Sequence, residues 1–334
     1  MISKKRIFYS TLLWINIFLI ICSCGSSYAF EENPVLVEAD PILQEGNEYI
    51  IVLGDIQEYT GNVLYYPYFK ATMDWIYSQK IHGKNIKLIM QTGDLTNSNE
   101  VFQYTVFEEL TSFASQIIPY ISCIGNHDYV WNNGLIDNRK ATLYSTYTVF
   151  PLVTSLIEAR YEEGRMENII VRNTIRGKRY DIISLEFGPR KEVIQWALKH
   201  IKAHPEINYI VLTHEYLSPK GERIVNGSYA KTKIINSTAS SPEELWNELI
   251  KNNDNIRCVL CGHNGFSTYL VSKNSKDRDV WQILFNLQYQ PNGGDGLIQI
   301  WEIPPGNKPV NVKVYNTITR KLHSDNSRHF QFNL

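Results

Sequence analysis

Five hydrophobic segments of this 334-residue chain each end in polar residues of the kinds that bind divalent metal ions. In chain order these residues are Asp55 and Gln57, then Asp94, then Asn126, His127 and Asp128, then His214 and Glu215, and last His263 and Asn264. Carboxylates, amides and imidazoles are ligands suited to divalent transition metals. A carboxylate shared by two ions about 3.5–4 Å apart would create a two-metal centre for hydrolysis.

The hydrophobic segments predict the strands that would bring these polar residues together. Strands are expected at 49–55, 86–94 and 118–128, separated by helical patterns at 68–81 and 99–117. Strands that alternate with helices indicate a parallel sheet with helices on its faces. Because ligands bind outside the carboxyl ends of such strands, we expect the polar residues to gather at one rim.

The second half of the chain repeats this arrangement and then becomes almost entirely strand. An amphipathic helix at 190–203 precedes strands at 207–215 and 256–263. Between those two strands Ser241, with Glu244 three residues later, is the expected N-cap of another helix. Together the patterns predict two layers of sheet with helices outside.

A series of short motifs, GDIQ, GDL, GNHD, THE and CGHNG, is spread over residues 54–265. This series resembles the motifs of the calcineurin-like metallophosphoesterases, and the similarity extends over about residues 48–316. The resemblance implies a four-layer α/β-β/α sandwich, in which helices flank two mixed sheets and a dinuclear metal centre lies at the strand ends. Residues 129–164 would form a cap-like insert in this domain.

Carried over position by position, the resemblance implies two neighbouring metal sites that share one carboxylate. The ligands would be, for site 1, Asp55, Gln57 and the shared Asp94, and, for site 2, Asp94, Asn126, His214 and His263. His127 would face the substrate, either as the general acid or as a histidine that contacts the phosphate. Asp128 would either orient His127 or cap a turn of the loop.

Two departures from the usual motifs of this family both fall on site 1. Gln57 stands where the family usually has the histidine of Asp-x-His, and Gly265 stands where it has the second histidine of Gly-His-x-His. Site 1 then keeps only oxygen donors, among them the Gln57 carbonyl. We therefore expect two divalent cations, drawn from Mn, Fe, Zn, Mg and Ca. The weaker site 1 should favour Mn, Mg or Ca over Zn.

A polar segment further along the chain is a second source of ligands for site 1. This segment, residues 285–296, includes four candidates, namely Asn286, Gln288, Gln290 and Asp295. A hairpin turn with no part in metal binding is the simpler interpretation of its glycines.

The activity implied by the resemblance is hydrolysis of a phosphate monoester or diester. A metal-bound hydroxide would attack phosphorus in line, Asn126 would help to stabilise the developing charge, and His127 would protonate the leaving oxygen. The alternative is a catalytically weak or inactive module that binds one metal and a phosphorylated or glycan ligand. A nuclease is disfavoured because the formal net charge is -1. The expected partner is a small phosphorylated substrate or a phosphoprotein, and no nucleic acid is expected.

Several side chains near the motifs are candidates for substrate contact. The insert holds four aromatic residues that would form either a wall over the site or part of the core, Tyr129, Trp131, Tyr144 and Tyr147. Glu215 and Tyr216 directly follow a predicted ligand. Arg190 is a candidate phosphate clamp or, more simply, a solvated residue that opens a helix.

The first 29 residues have the pattern of an export leader, with three basic residues before a long apolar run. The protein is expected either to be lipid-anchored at Cys24, in the periplasm or at the cell surface, or to be secreted after cleavage at Ala29. Membrane contact would then occur only through the lipid. A retained membrane anchor is the third interpretation of this segment. Residues 30–47 would form a tether and residues 317–334 a C-terminal tail.

Three cysteines remain outside the leader, Cys123, Cys258 and Cys261, and an odd number suggests no disulfide framework. Because Cys258 and Cys261 are three apart on a predicted strand, they would face opposite sides, as buried apolar residues rather than zinc ligands.

Overall fold

Two large mixed β-sheets form the body of the molecule, which is described by a computed structural model for residues 33–136, 139, 143–235 and 238–334. The strands are β1 (Glu48–Leu53), β2 (Ile86–Gln91), β3 (Tyr120–Ser122), β4 (Trp131–Asn132), β5 (Leu135–Ile136), β6 (Ile157–Arg160), β7 (Ile169–Val171), β8 (Thr174–Ile175), β9 (Lys178–Ser184), β10 (Asn208–Leu212), β11 (Ile256–Cys261), β12 (Ser267–Lys273), β13 (Asp279–Phe285), β14 (Leu297–Ile303), β15 (Val310–Asn316), β16 (Lys321–Leu322) and β17 (Phe330–Phe332).

The helices are mostly short, apart from three that have thirteen or more residues. They are α1 (Gln57–Gly61), α2 (Tyr66–Ile81), α3 (Val101–Ile117), α4 (Tyr144–Tyr147), α5 (Pro151–Thr154), α6 (Lys191–Ala203), α7 (Tyr229–Lys233), α8 (Pro242–Leu245) and α9 (Pro291–Gly294). Helix α8 continues into a π-helical turn at Trp246–Ile250, and short 3₁₀ turns lie at Asn126–Asp128 and Asn326–Arg328. In α8 the expected cap is present: Ser241 Oγ accepts the Glu244 amide at 3.2 Å, and Glu244 accepts the Ser241 amide at 2.7 Å.

The strand order explains why the polar strand ends meet. The first sheet has the order β16-β15-β14-β1-β2-β3, with β17 beside β15, and β1, β2 and β3 are parallel. The second has the order β12-β13-β11-β10-β9-β7-β6, with β8 beside β9, and β9, β10, β11 and β13 are parallel. Leu53 of β1 pairs with Gln91 of β2, so the loops that carry Asp55 and Asp94 leave the sheet side by side.

The second sheet is buried on both faces because alternate residues of each strand point to different cores. In β10, Ile210 and Leu212 belong to a large cluster that also contains the residues of the first sheet, whereas Tyr209 and Val211 pack with α6 and α8. In β11, Cys258 belongs to the first of these clusters and Cys261 to the second, and both are fully buried. The architecture is thus the expected sandwich of two mixed sheets with helices outside.

Three segments next to the predicted core have defined contacts in the structure. Residues 33–47 are an ordered arm: the Asp40 carboxylate accepts hydrogen bonds from Trp75 Nε1 at 3.0 Å and from the Tyr315 hydroxyl. The expected C-terminal tail instead contributes β16 and β17 to the first sheet, since Phe330–Phe332 alternates aromatic and polar residues beside β15. The expected cap-like insert is partly core, because β6 extends the second sheet. The leader lies outside the described residues.

Among the residues that the structure describes, no helix combines the length and apolar character needed to cross a bilayer.

Candidate metal centre

The predicted ligands from the two sheets converge where the carboxyl ends of the parallel strands meet. The backbone amide of His263, after β11, donates to the Asp55 carboxylate after β1, with 3.1 Å between N and Oδ2. The His127 amide, after β3, donates to Asp94 Oδ1 at 2.9 Å. Side chains from distant parts of the sequence therefore share one small polar region, as the sequence analysis expects.

Site 2 has a compact set of donors. One ligand atom each of Asp94, His214 and His263 lies within 4.8 Å of the others. The Nε2 atom of His214 is 3.2 Å from Asp94 Oδ2 and 3.1 Å from Asn126 Oδ1. On the other side of the ring, Nδ1 lies 2.7 Å from the Thr92 carbonyl oxygen, which requires a proton on Nδ1.

This geometry demands a positive charge beside His214. With Nδ1 protonated, the lone pair of a neutral ring would point from Nε2 at two oxygen atoms, and only a proton or a metal ion between them makes that arrangement favourable. Burial acts to lower the pKa of His214, but the charges of Asp94 and Asp55 outweigh it and raise the pKa to about 10. The donors of site 2 therefore fit a divalent cation that replaces this proton.

His263 and Asp94 have the charge states that metal binding requires, whereas burial favours the protonated form of Asp55. Burial and the charge of His214 lower the pKa of His263 to about 3, so its imidazole is neutral. Burial acts to raise the pKa of Asp94, but His214 outweighs it and lowers the pKa to about 2. Burial raises the pKa of Asp55 well above its ordinary value, and the nearby Asp94 charge adds to this. A cation would relieve the repulsion between these two buried carboxylates.

Site 1 is built from oxygen and amide groups. The Asp55 carboxylate accepts hydrogen bonds from Thr92 Oγ1 at 3.2 Å and from Asn286 Nδ2 at 2.5 Å. Gln57, at the start of α1, places its Nε2 atom 3.3 Å from Asp94 Oδ2. Its Oε1 atom is buried and has no hydrogen-bond partner. An orphaned amide oxygen on a side chain that contacts the Asp94 carboxylate is a suitable donor for an oxygen-preferring cation.

Two glycines allow the carboxylates to approach the backbone. A Cβ atom at position 125 would lie 2.1 Å from Asp94 Oδ1, and one at position 262 would lie 2.3 Å from Asp55 Oδ1. Any side chain at either position would displace a predicted ligand. The glycines before Asn126 and His263 therefore have a steric role, because they leave room for the carboxylates of Asp94 and Asp55.

The two predicted catalytic residues occupy different environments. His127 is partly exposed, and its Nδ1 lies 2.8 Å from the Asn97 carbonyl oxygen. Asp128 is fully buried, and its carboxylate accepts the amides of Gly125, Leu95 and Thr96 at 3.0, 3.2 and 3.0 Å. The second of the two expectations for Asp128, a residue that caps the loop, matches these contacts. Asn97 is the partner of the His127 ring.

An open groove of about 480 Å³ lies beside His127. Its lining consists of Asn97, Ser98, Asn99, His127, Val130, Trp131 and Tyr229. Trp131 Nε1 donates to the Asn126 carbonyl at 2.8 Å, and the Tyr229 ring is 5.1 Å from the ring of His263. Of the four aromatic residues predicted as a wall, Trp131 lines this groove.

The other candidates for substrate contact have structural partners. Tyr129 and Tyr144 are 1% exposed, and Tyr147 stacks on Tyr104 with 5.2 Å between ring centroids. The Glu215 carboxylate accepts the Tyr229 and Ala230 amides, so it supports the start of α7. Tyr216 is fully buried.

Arg190 forms an ion pair with buried Glu186, with 2.8 Å between Nε and Oε1. It is therefore neither a free clamp nor a solvated residue.

Sequence reasoning missed three residues that shape the centre. Thr92 bonds to both Asp55 and His214, Tyr229 contacts His263, and Tyr289 lies against Gly265. Thr92 directly precedes a Gly-Asp pair, which is a usable signal. No local pattern marks Tyr229 or Tyr289, because their positions depend on packing between distant segments.

A mixed α/β sandwich with candidate metal ligands at its strand ends defines the structural class of this protein. Residues 49–290 match the sequence profile of the calcineurin-like phosphoesterases, and the chain belongs to that family. It is 25% identical over 302 residues to the uncharacterized protein YvnB of Bacillus subtilis strain 168, which covers 87% of this chain and 22% of YvnB. The chain thus spans about a fifth of that relative.

A solved structure gives the same fold. Purple acid phosphatase PPD1 from yellow lupin (Lupinus luteus) seeds is similar with a TM-score of 0.52 and 13% sequence identity. The similarity covers 87% of this chain and 54% of the lupin protein. This neighbour is consistent with the family assignment and shows the two-sheet architecture.

Proposed function

We propose that the chain hydrolyses phosphate esters with the help of two divalent cations. The main support is that the ligand atoms of Asp94, His214 and His263 lie within 4.8 Å of one another, beside an open groove that includes His127. Membership of the calcineurin-like phosphoesterases supports hydrolysis of a phosphoester. When bound, the cations would neutralise charge on the phosphoryl oxygens and make bound water more acidic.

The roles of the chain's own residues follow from their contacts. Asp94, Asn126, His214 and His263 would hold the ion of site 2, and Asp55, Gln57 and Asp94 the ion of site 1. The amide group of Asn126 would also face the phosphoryl oxygens. With Nδ1–H of His127 donating to the Asn97 carbonyl, Nε2 would hold the second proton of the imidazolium form, and this proton would pass to the leaving oxygen.

The groove supports a small phosphorylated substrate whose leaving group contains a planar ring. Trp131 and Tyr229 both line the groove and lie beside each other, with 6.4 Å between ring centroids, and Asn97 and Asn99 add polar groups to the lining. Planar aromatic surfaces bind rings by stacking or edge contact. A phosphorylated nucleoside or an aryl phosphate meets this description.

Metal removal tests the proposed function directly. Purified protein would be treated with EDTA, dialysed and assayed with 4-nitrophenyl phosphate and bis(4-nitrophenyl) phosphate, before and after addition of Mn²⁺, Mg²⁺, Ca²⁺ or Zn²⁺. We expect turnover to disappear with EDTA and to return with an oxygen-preferring ion. Turnover that survives complete metal removal would contradict the proposal. Binding of one ion without hydrolysis of either substrate would favour the binding module.

We also propose that the chain is exported and anchored through a lipid on Cys24. The support is the basic and apolar leader with a serine before that cysteine. Mass spectrometry of the N-terminal peptide from cells would show a lipidated Cys24. A mature terminus at Phe30 would instead indicate secretion.

A further inference from the structure

Site 1 lacks both imidazoles of the family motifs, and the structure offers a replacement from the segment that follows β13. We propose that the side-chain oxygens of Gln57 and Gln288 are the additional ligands of site 1, with Tyr289 filling the space left by Gly265. This inference rests on the proposed two-metal function. It names the ligand set for an oxygen-preferring ion such as Mn²⁺, Mg²⁺ or Ca²⁺.

The Tyr289 ring lies in the space beside Gly265. A Cβ atom at this position would lie 2.2 Å from Cδ2 and 2.4 Å from Cε2 of Tyr289. The backbone of Gly265 lies outside the left-handed region, so its conformation would accept any residue. The absence of a side chain is therefore explained by the Tyr289 ring, which occupies the volume that a histidine would need.

Two buried side-chain oxygens, those of Gln57 and Gln288, lack a hydrogen-bond partner. Gln57 and Gln288 are each 4% exposed, and the Oε1 atom of each is buried without a hydrogen-bond partner. Buried amide oxygens are normally satisfied, so these two atoms point to a missing positively charged or hydrogen-bonding species. Gln57 Nε2 lies 3.3 Å from Asp94 Oδ2, and Gln288 comes two residues after Asn286, whose side chain bonds to Asp55.

Hydrogen bonds connect the segment after β13 to site 1. Asn286 Nδ2 donates to Asp55 Oδ2 at 2.5 Å and to the His263 carbonyl at 3.3 Å. Asn286 Oδ1 accepts the Gln288 amide at 3.1 Å, which sets the direction of the chain at Gln288. The segment thus spans from one predicted site 1 ligand to the orphaned amide.

The Tyr289 ring lies at the protein surface, since this residue is 75% exposed, and it lies against Gly265.

Equilibrium dialysis against Mn²⁺ with metal analysis tests the ligand role without an activity assay. The wild-type chain should bind two Mn²⁺ ions. Gln288→Leu should lower the affinity for the second Mn²⁺ ion at least tenfold, whereas Gln288→Glu should still bind that ion. The neighbouring Gln290→Leu variant should bind both ions as the wild type does. Circular dichroism would confirm that each variant is folded. Unchanged binding of both ions by folded Gln288→Leu would overturn the proposal.

A histidine returned to position 265 tests the role of Tyr289. Gly265→His alone should not improve Zn²⁺ binding at site 1, because the Tyr289 ring blocks the imidazole. Gly265→His with Tyr289→Ala should bind Zn²⁺ at least tenfold more tightly than Tyr289→Ala alone. An equal gain from the single Gly265→His change would show that Tyr289 does not occupy that space, which would contradict this part of the proposal.

The dialysis result and the hydrolysis result separate the two proposals. Two bound ions, one of them sensitive to Gln288→Leu, with no hydrolysis of any phosphate ester would support this ligand set and contradict the proposed function. Metal-dependent hydrolysis, together with metal binding that Gln288→Leu does not change, would support the proposed function and contradict this ligand set.

Discussion

The two proposed metal sites would share Asp94 and lie at the same strand ends, yet they are assembled in different ways. The donors of site 2 lie in the loops that follow β2, β3, β10 and β11, within four residues of each strand end. Site 1 takes only Asp55 and Asp94 from such positions. Its remaining oxygens come from α1 and from the segment after β13, which packs against Asp55 from the opposite sheet. One centre thus combines a site defined by local motifs with a site defined by tertiary packing.

The difference also concerns charge. Site 2 contains two imidazoles, and in the absence of an ion His214 can hold a proton between Asp94 and Asn126. Site 1 contains the amide of Gln57 in place of a titratable group. Its Asp55 can be neutralised only by its own protonation or by a cation, and burial raises the pKa of this carboxyl well above its ordinary value. We therefore expect site 2 to bind its ion more tightly and site 1 to depend more on metal concentration.

The largest expected effect comes from the residue that belongs to both sites. Asp94→Asn should abolish binding of both ions at micromolar metal and lower kcat/KM by about 10³-fold or more, since it removes the shared charge. Metal analysis and 4-nitrophenyl phosphate turnover would measure this. Asp279→Asn, which changes an exposed carboxylate paired with Lys273, is the matched control and should have no effect. Retention of both ions by Asp94→Asn would show that the sites do not share this ligand.

A residue outside both ligand sets should affect the rate without affecting the ions. His127→Ala should keep two ions and lower kcat by about 10²- to 10⁴-fold, the range for loss of general acid–base catalysis. The loss should be greater for an alkyl phosphate than for 4-nitrophenyl phosphate, because a poor leaving group needs the proton more. His82→Ala, which changes an exposed histidine bonded to the Val37 carbonyl, is the control. An equal loss for both substrates would contradict the role of proton donor.

A direct comparison of the sites is provided by removing one donor from each. His263→Ala should weaken the tighter ion about 100-fold, and Gln57→Leu should weaken the looser ion about tenfold, because a neutral amide oxygen is the weaker ligand. Isothermal titration with Mn²⁺ would resolve the two binding steps. If Gln57→Leu affects the tighter ion instead, the assignment of Gln57 to site 1 is wrong.

The same contrast explains what could be predicted from the sequence. Buried strands that end in Gly-Asp, Gly-Asn-His and Gly-His identify the parallel strands and the donors of site 2, because alternation and strand-end chemistry are local properties. The space beside Gly265 cannot be predicted in this way, since it depends on a ring 24 positions later in the chain. Similarly, the sequence 317–334 has no long apolar run, and its pairing with β15 depends on an edge that only the folded sheet presents.

Arg190 gives the smallest expected effect on activity, because its pairing with Glu186 places it in a structural network. Burial acts to raise the pKa of Glu186, but the guanidinium groups of Arg139 and Arg190 outweigh it and lower the pKa below its ordinary value. A carboxyl group with a lowered pKa stabilises the folded state above its unfolded pKa of about 4.3, and the contribution is lost as the pH falls through the folded pKa.

Glu186→Gln should therefore lower the free energy of unfolding by about 1.5–3 kcal/mol at pH 7, since it removes the buried charge that accepts hydrogen bonds from Arg190. The difference from the wild type should shrink below about pH 4. Urea unfolding at several pH values would measure this, with the exposed Glu222→Gln as control. The number of bound ions and the kcat of the folded variant should equal those of the wild type. A rise in KM without a loss of stability would instead indicate that Arg190 contacts the substrate. In that case, removing the charge of Glu186 would change substrate binding rather than folding.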